Sequence, residues 1–160
     1  MKKALLIFIL LFTTTTYSQQ SDFWQNVRFG GGFGLSFGNT TTISISPSAI
    51  YDFDNGFALG AGLNYTHSST GANKANLYGI NTLALYNIPL VNLQISTEFE
   101  QLFVNRKINN ITDNYNYPAL HLGLAYRRGR TSIGFRYDVL YSDTKSVYSS
   151  AISPIFRFYF

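Results

Sequence analysis

The residues with the best claim to chemistry are two carboxylates at alternate positions, Glu98 and Glu100, a second alternate pair, Arg136 and Asp138, and the lone His121. On an extended chain, residues two apart project from one face, so each pair presents both side chains to the same surroundings. Carboxylates held near an imidazole and guanidinium groups could relay protons, pass small ions, or act as a general acid–base pair. The same residue types also form neutral, hydrogen-bonded plugs, because unpaired buried charge is costly. Arg28, Asp52 and Arg157 extend the set. Three arginines against four carboxylates nearly cancel, which favours the plug.

Other groups are weaker. His67, Ser68 and Ser69 supply a histidine and hydroxyls for lipid ester chemistry, but no acid stands at a matching position on that face; Asp143 lies in a loop segment. The run Gly30-Gly31-Gly32-Phe33-Gly34 has the glycine density of a phosphate-binding turn, yet no helix follows it and the glycines continue a two-residue alternation. No cysteine occurs, so disulfides, thiolate metal sites and cysteine nucleophiles are excluded. No His or carboxylate cluster has metal-ligand spacing, and no cofactor is expected. Arg127, Arg128 and Arg130 crowd one turn, an arrangement suited to anionic head groups.

These residues sit in a chain of 160 residues in which charged residues make up 12% and aromatics 17%; ordinary soluble domains carry about 25% charged residues. Lys2 and Lys3 precede the apolar run Ala4 to Phe12, with Thr16 and Ser18 before Gln19. The run is shorter than the ~20 residues a membrane-spanning helix needs and reads as a secretory signal peptide over 1–18, cut near Gln19. Loss of Lys2 and Lys3 lowers the net charge from +4 to +2, which leaves no electrostatic footprint for nucleic acid. Residues 19–26 read as a periplasmic lead and 27–160 as one domain.

That domain alternates with a period of two. Val27, Phe29, Phe33 and Leu35 oppose Arg28, Gly30, Gly34 and Ser36; Leu93, Ile95 and Phe99 oppose Gln94, Ser96, Glu98 and Glu100; Ile133, Phe135 and Tyr137 oppose Ser132, Arg136 and Asp138. Eight such strands are expected. Only the stretch from Leu77 to Tyr86 is irregular, which predicts a bulge there. Asp54–Gly56, Asn87–Asn92 and Arg128–Gly129 read as short turns, and Ser68–Asn76, Asn105–Asn114 and Ser142–Val147 as longer polar loops. Short turns at one rim and longer loops at the other predict an all-β, antiparallel, eight-stranded up-and-down transmembrane barrel.

A soluble barrel would place its apolar face inward and cover its exterior with Lys and Glu. Here the polar face is Gly, Ser, Thr and Asn, and Lys74, Lys107 and Lys145 fall in the three long loops. The apolar face is therefore expected to meet lipid. Tyr51, Phe53, Phe57, Tyr65, Tyr117, Tyr126, Tyr141 and Tyr148 are expected at the interfacial girdles. Arg28, Asp52 and Arg157 would lie towards the periplasmic rim, with Glu98, Glu100, His121, Arg136 and Asp138 near mid-height. Pro47, Pro118 and Pro154 fall inside strands and should sit at bulges or beyond the hydrogen-bonded band.

The terminal run Ile152-Ser153-Pro154-Ile155-Phe156-Arg157-Phe158-Tyr159-Phe160 resembles the last strand of outer-membrane β-barrels, and with the signal peptide the chain is similar to small barrels of the OmpA/OmpX type. The resemblance implies residence in the bacterial outer membrane, export through the secretory pathway, contact with outer-membrane lipids, and recognition of Phe156, Phe158 and Phe160 by the barrel-assembly machinery. It does not imply a peptidoglycan-anchoring role and says little about activity; from the residues themselves no enzyme is expected. The expected role is structural or surface interaction, with Lys74, Arg106, Lys107 and Lys145 as surface contacts for a ligand the sequence does not name. A narrow pore for small solutes is the alternative, and an outer-leaflet lipid-modifying enzyme a more distant one.

Overall fold

A computed structural model of the chain describes residues 22–36, 41–71, 73–108, 111–142, 146 and 150–160. The expected signal peptide, Lys145 and Tyr148 lie outside the described residues. A short helix α1 (Asp22–Gln25) leads into eight strands: β1 (Val27–Ser36), β2 (Thr41–Asp52), β3 (Phe57–Thr70), β4 (Asn73–Ile88), β5 (Leu93–Ile108), β6 (Ile111–Arg128), β7 (Thr131–Asp138) and β8 (Ile152–Tyr159). Each pairs antiparallel with the next and β8 pairs with β1, so the sheet closes into an up-and-down barrel. No described helix is long and apolar enough to cross a membrane, a fact silent about crossing with strands.

The alternation decides which face is which. Phe33, Leu63 and Phe135 point outward, 55%, 60% and 67% exposed, while Glu98, Glu100, His121 and Arg157 point inward and are buried. On β4 the outward apolar band runs from Tyr78 to Tyr86. Those nine positions span about 26 Å along the strand and about 20 Å of height at a ~40° tilt, close to the ~25 Å apolar band of outer-membrane barrels. Aromatic rings edge the band: Tyr65 meets Tyr78 at 5.3 Å at one end, and Phe23 of α1 stacks on Tyr51, itself against Phe53, at the other.

Four expectations need correction. β4 holds no bulge; it keeps one register with β3 from Phe57↔Tyr86 to Thr70↔Asn73. Its alternation is blurred because Leu77, Leu83 and Leu85 turn inward and are buried, so both of its faces are apolar. The interior is therefore not uniformly polar: Ile50, Leu83, Leu85 and Tyr159 pack near one end and Leu77, Leu102, Val104 and Tyr117 near the other. Tyr117 thus belongs to the lumen, not to an interfacial girdle. Finally, the described residues of Ser68–Asn76 and Asn105–Asn114 are strand apart from Gly71, because β3–β4 pair out to Thr70↔Asn73 and β5–β6 to Ile108↔Ile111. Their polar alternation is that of strands continuing past the apolar band, where both faces can be hydrophilic.

The prolines fall where the ladder is broken. Pro47 lies between the pairs Ile45↔Tyr65 and Ser48↔Gly62. Pro118 lies above the last β6–β7 pair, His121↔Asp138, and Pro154 lies beyond the β1–β8 pairs. At the opposite end, the turn at 89–92 closes through Asn92 at φ 52°, and the turn after β6 through Gly129 at φ 61°.

Candidate functional site

The lumen-facing row of β5 carries Gln94, Ser96, Glu98, Glu100, Leu102 and Val104, which the strand period puts on one face. Two arginines converge on its middle. Arg136 of β7 donates through Nη1 to Glu98 Oε2 at 3.0 Å and to Glu100 Oε1 at 2.9 Å. Its Nε donates to Ser153 Oγ at 3.2 Å. Arg157 of β8 pairs with Glu98 and donates to Gln94 Oε1 and Ser96 Oγ at 3.2 and 3.1 Å. His121 Nε2 stands 3.3 Å from Glu100 Oε2. Two carboxylates thus face two guanidiniums across a narrow lumen, a charge-neutral bridge pinning β5 to β7 and β8.

Arg136 reaches β5 only by crossing β6, and β6 clears the way. A Cβ on Gly123 would lie 3.5 Å from the Cβ of Arg136 and 2.8 Å from Ile155, with Ser96 Oγ closer still. Gly123 is flanked on the lumen face by His121 and Ala125. A methyl group at Gly123 would crowd Ser96 Oγ, which accepts from Arg157, and the tip of Ile155, so the bare Cα leaves this corner of the bridge its room; sequence reasoning gave Gly123 no such role. The sequence signal is no more than a glycine on the lumen face of β6; that Gly123 falls in register with both Arg136 and Ser96 emerges only from the pairing of the strands.

Other expected members separate from the bridge. Arg157 does not remain at the rim, because its side chain extends across the lumen to β5. Asp138 joins a different group: it accepts from Tyr117 Oη at 3.0 Å and from the Leu120 and Leu140 backbone N–H groups at 3.2 and 3.0 Å. Carboxylates that accept backbone N–H bonds cap chain reversals, and Asp138 ends β7 in this way. Arg28 and Asp52 pair at 3.0 Å near the end with the short turns.

The expected surface residues also divide. Lys74 is exposed and neighbours Lys107 in the β4–β5 register. Arg106 is engaged, with Asp113 at 3.2 Å and the Tyr115 ring at 5.4 Å from its guanidinium carbon. His67 Nδ1 meets Asn76 Oδ1 at 2.7 Å, whereas Ser68 Oγ meets Thr42 Oγ1 at 3.2 Å. The two project from opposite faces of β3, so His67 and Ser68 form no nucleophile–base contact with each other. At the C-terminus Phe158 and Phe160 are outward and meet edge to face at 5.3 Å, while Phe156 packs on Phe33 at 4.7 Å.

No protein-family profile matches the chain, and comparison with curated proteins and with solved structures finds no match.

Proposed function

We propose that the protein is a small integral outer-membrane β-barrel, exported by residues 1–18, with a plugged axis and a structural or surface-interaction role exercised through the β3–β4 and β5–β6 hairpins. The observation that carries this reading is the outward band of Phe, Leu, Ile and Tyr around a closed barrel whose buried face holds the charges. In water that band would be an exposed apolar surface far larger than soluble monomers tolerate; in a bilayer it is the ordinary exterior of a barrel. The ion-paired bridge and the two apolar clusters support a stopper rather than a channel, since an eight-stranded barrel is just wide enough for its side chains to fill it. Phe156, Phe158 and Phe160 would serve as the signal read by the barrel-assembly machinery, and membrane lipids as the lasting partners.

The test is membrane fractionation of the full chain followed by gel migration with and without boiling. Retention after a carbonate wash, with an unboiled form that migrates faster, is the expected result. Release by carbonate overturns the membrane reading. Steady, resolvable channels in planar bilayers would replace the stopper with a narrow pore.

A further inference from the structure

The barrel wall is least complete where it closes. β1 and β8 pair over only three positions, Gly30↔Tyr159, Gly31↔Phe158 and Gly32↔Arg157, although both strands continue. Past Gly32 they diverge: a Cβ on Gly32 would still meet the Phe156 carbonyl at 2.8 Å, whereas one on Gly34 would meet only Ser44 of β2. Pro154, on the β8 side of the gap, has no N–H with which to bridge it. The gap is screened from outside by the rings of Phe33 and Phe156, edge to face at 4.7 Å.

Behind this screen lies a cavity of about 90 Å³, room for roughly three waters at ~30 Å³ each. Phe33, Pro154 and Phe156 line its mouth, and Ser44, Ser46 and Asn81 line its inner side together with the charged bridge. Asn81 is 8% exposed, and its Oδ1 has no hydrogen-bond partner among the described residues. That oxygen lies over Gly62 of β3, so the uncharged polar surface offered to the cavity is mainly serine hydroxyl. The gap lies in the half of β1 away from the short-turn rim, which on the membrane reading faces the outer leaflet.

We infer that the β1–β8 seam is a lateral port through which the head group of a neutral, hydroxyl-bearing amphiphile enters the lumen from the outer leaflet, its hydrocarbon chain staying against the barrel wall. The inference rests on the membrane reading above. A neutral head group fits because Glu98 and Glu100 are balanced by Arg136 and Arg157, while the hydroxyls of Ser44, Ser46 and Ser48 offer hydrogen bonds. The size fits a glycerol-like group.

The test uses the full chain in phosphatidylcholine nanodiscs and a monoacylglycerol carrying a diazirine on its glycerol head, with adducts mapped by mass spectrometry. Adducts are expected at Ser44, Ser46, Ser48 and Asn81, several-fold above those from a fatty acid bearing the same label at its carboxylate end. The chain has no cysteine, so a Phe33→Cys/Phe156→Cys pair can close the seam. Oxidation should lower lumen adducts at least tenfold and reductant should restore them. Ser46→Phe, which fills the cavity without touching the seam, should give the same loss in a barrel that still shows heat-modifiable migration. Adducts confined to outward residues such as Ile45 and Leu63, or lumen adducts indifferent to both variants, overturn the port. A chain that fails to enter the discs overturns the membrane reading instead, and the port with it.

Discussion

Replacing Arg136 with Met removes the guanidinium that Glu98 and Glu100 share while keeping an unbranched side chain in the lane over Gly123. Breaking a buried ion pair by deleting one partner costs about 3–5 kcal/mol. Two features lower that figure here. Arg136 keeps 18% of its side chain exposed, and each carboxylate retains a neighbour, Arg157 for Glu98 and His121 for Glu100. The expected loss is therefore about 2–3 kcal/mol, a roughly 30- to 150-fold shift in the folding equilibrium. Reversible urea unfolding from lipid vesicles, read by the fraction of the fast-migrating folded form, measures it. Glu100→Gln should couple to the change by at least about 1 kcal/mol, because the two groups touch. Arg106→Met is the control: its pair with Asp113 is 37% and 56% exposed, so its loss should stay within about 0.5 kcal/mol and vanish in 1 M salt. An Arg136→Met loss no larger than that of Arg106→Met would refute the bridge as a stabilising plug.

Three further outcomes follow from named contacts. Gly123→Ala puts a methyl group against Ser96 Oγ and Ile155 and should cost about 1–3 kcal/mol by overpacking, partly restored by Ser96→Ala, in the same urea titration. Phe135→Arg, on the outward face midway along β7, should, on the proposed membrane reading, cost about 2–4 kcal/mol of folding into vesicles, whereas Lys74→Glu, above the apolar band, should be neutral; equal effects would count against a bilayer around Phe135. Lys74→Cys should react with a membrane-impermeant maleimide on intact cells, and Leu90→Cys, at the tip of the 89–92 turn and 95% exposed, only after the outer membrane is opened. The reverse pattern would invert the proposed topology.

The faces of the strands were legible in the sequence and their neighbours were not, for one geometric reason. Sliding a strand by two residues leaves every side chain on its own face but changes every cross-strand partner. Alternation therefore sorted Glu98, Glu100, Arg136 and Arg157 to the buried side, yet could not show that Arg136 crosses β6 beside Gly123 or that Arg157 reaches Gln94 and Ser96. Strand ends were misjudged where polarity stood in for loop character. The Asn- and Ser-rich segments at 68–70, 73–76, 105–108 and 111–114 are strand because a barrel ladder continues beyond the apolar band once pairing is established. β4 misled in the opposite sense, since Leu77, Leu83 and Leu85 fill the narrow interior and erase the contrast between its faces.

Those inward leucines also bear on how anything could reach the polar middle of the barrel. Ile50, Leu83, Leu85 and Tyr159 pack together on the side of the bridge nearer the short turns. Leu77, Leu102, Val104 and Tyr117 pack on the other side, where Tyr117 Oη also holds the chain after β7 through the Leu140 carbonyl at 3.3 Å. A solute moving along the axis would meet both apolar clusters and the ion-paired bridge between them. A group entering from the wall between β1 and β8 meets one aromatic contact, Phe33 on Phe156, with no ladder hydrogen bond to break past Gly32. On the proposed membrane reading that difference favours the lateral route, and the two routes separate cleanly. Enlarging the axial path by Leu102→Ala should leave lumen labelling by the monoacylglycerol probe unchanged, while the oxidised Phe33→Cys/Phe156→Cys seam should abolish it. Labelling that rises with Leu102→Ala and ignores the seam would show that access runs down the axis after all.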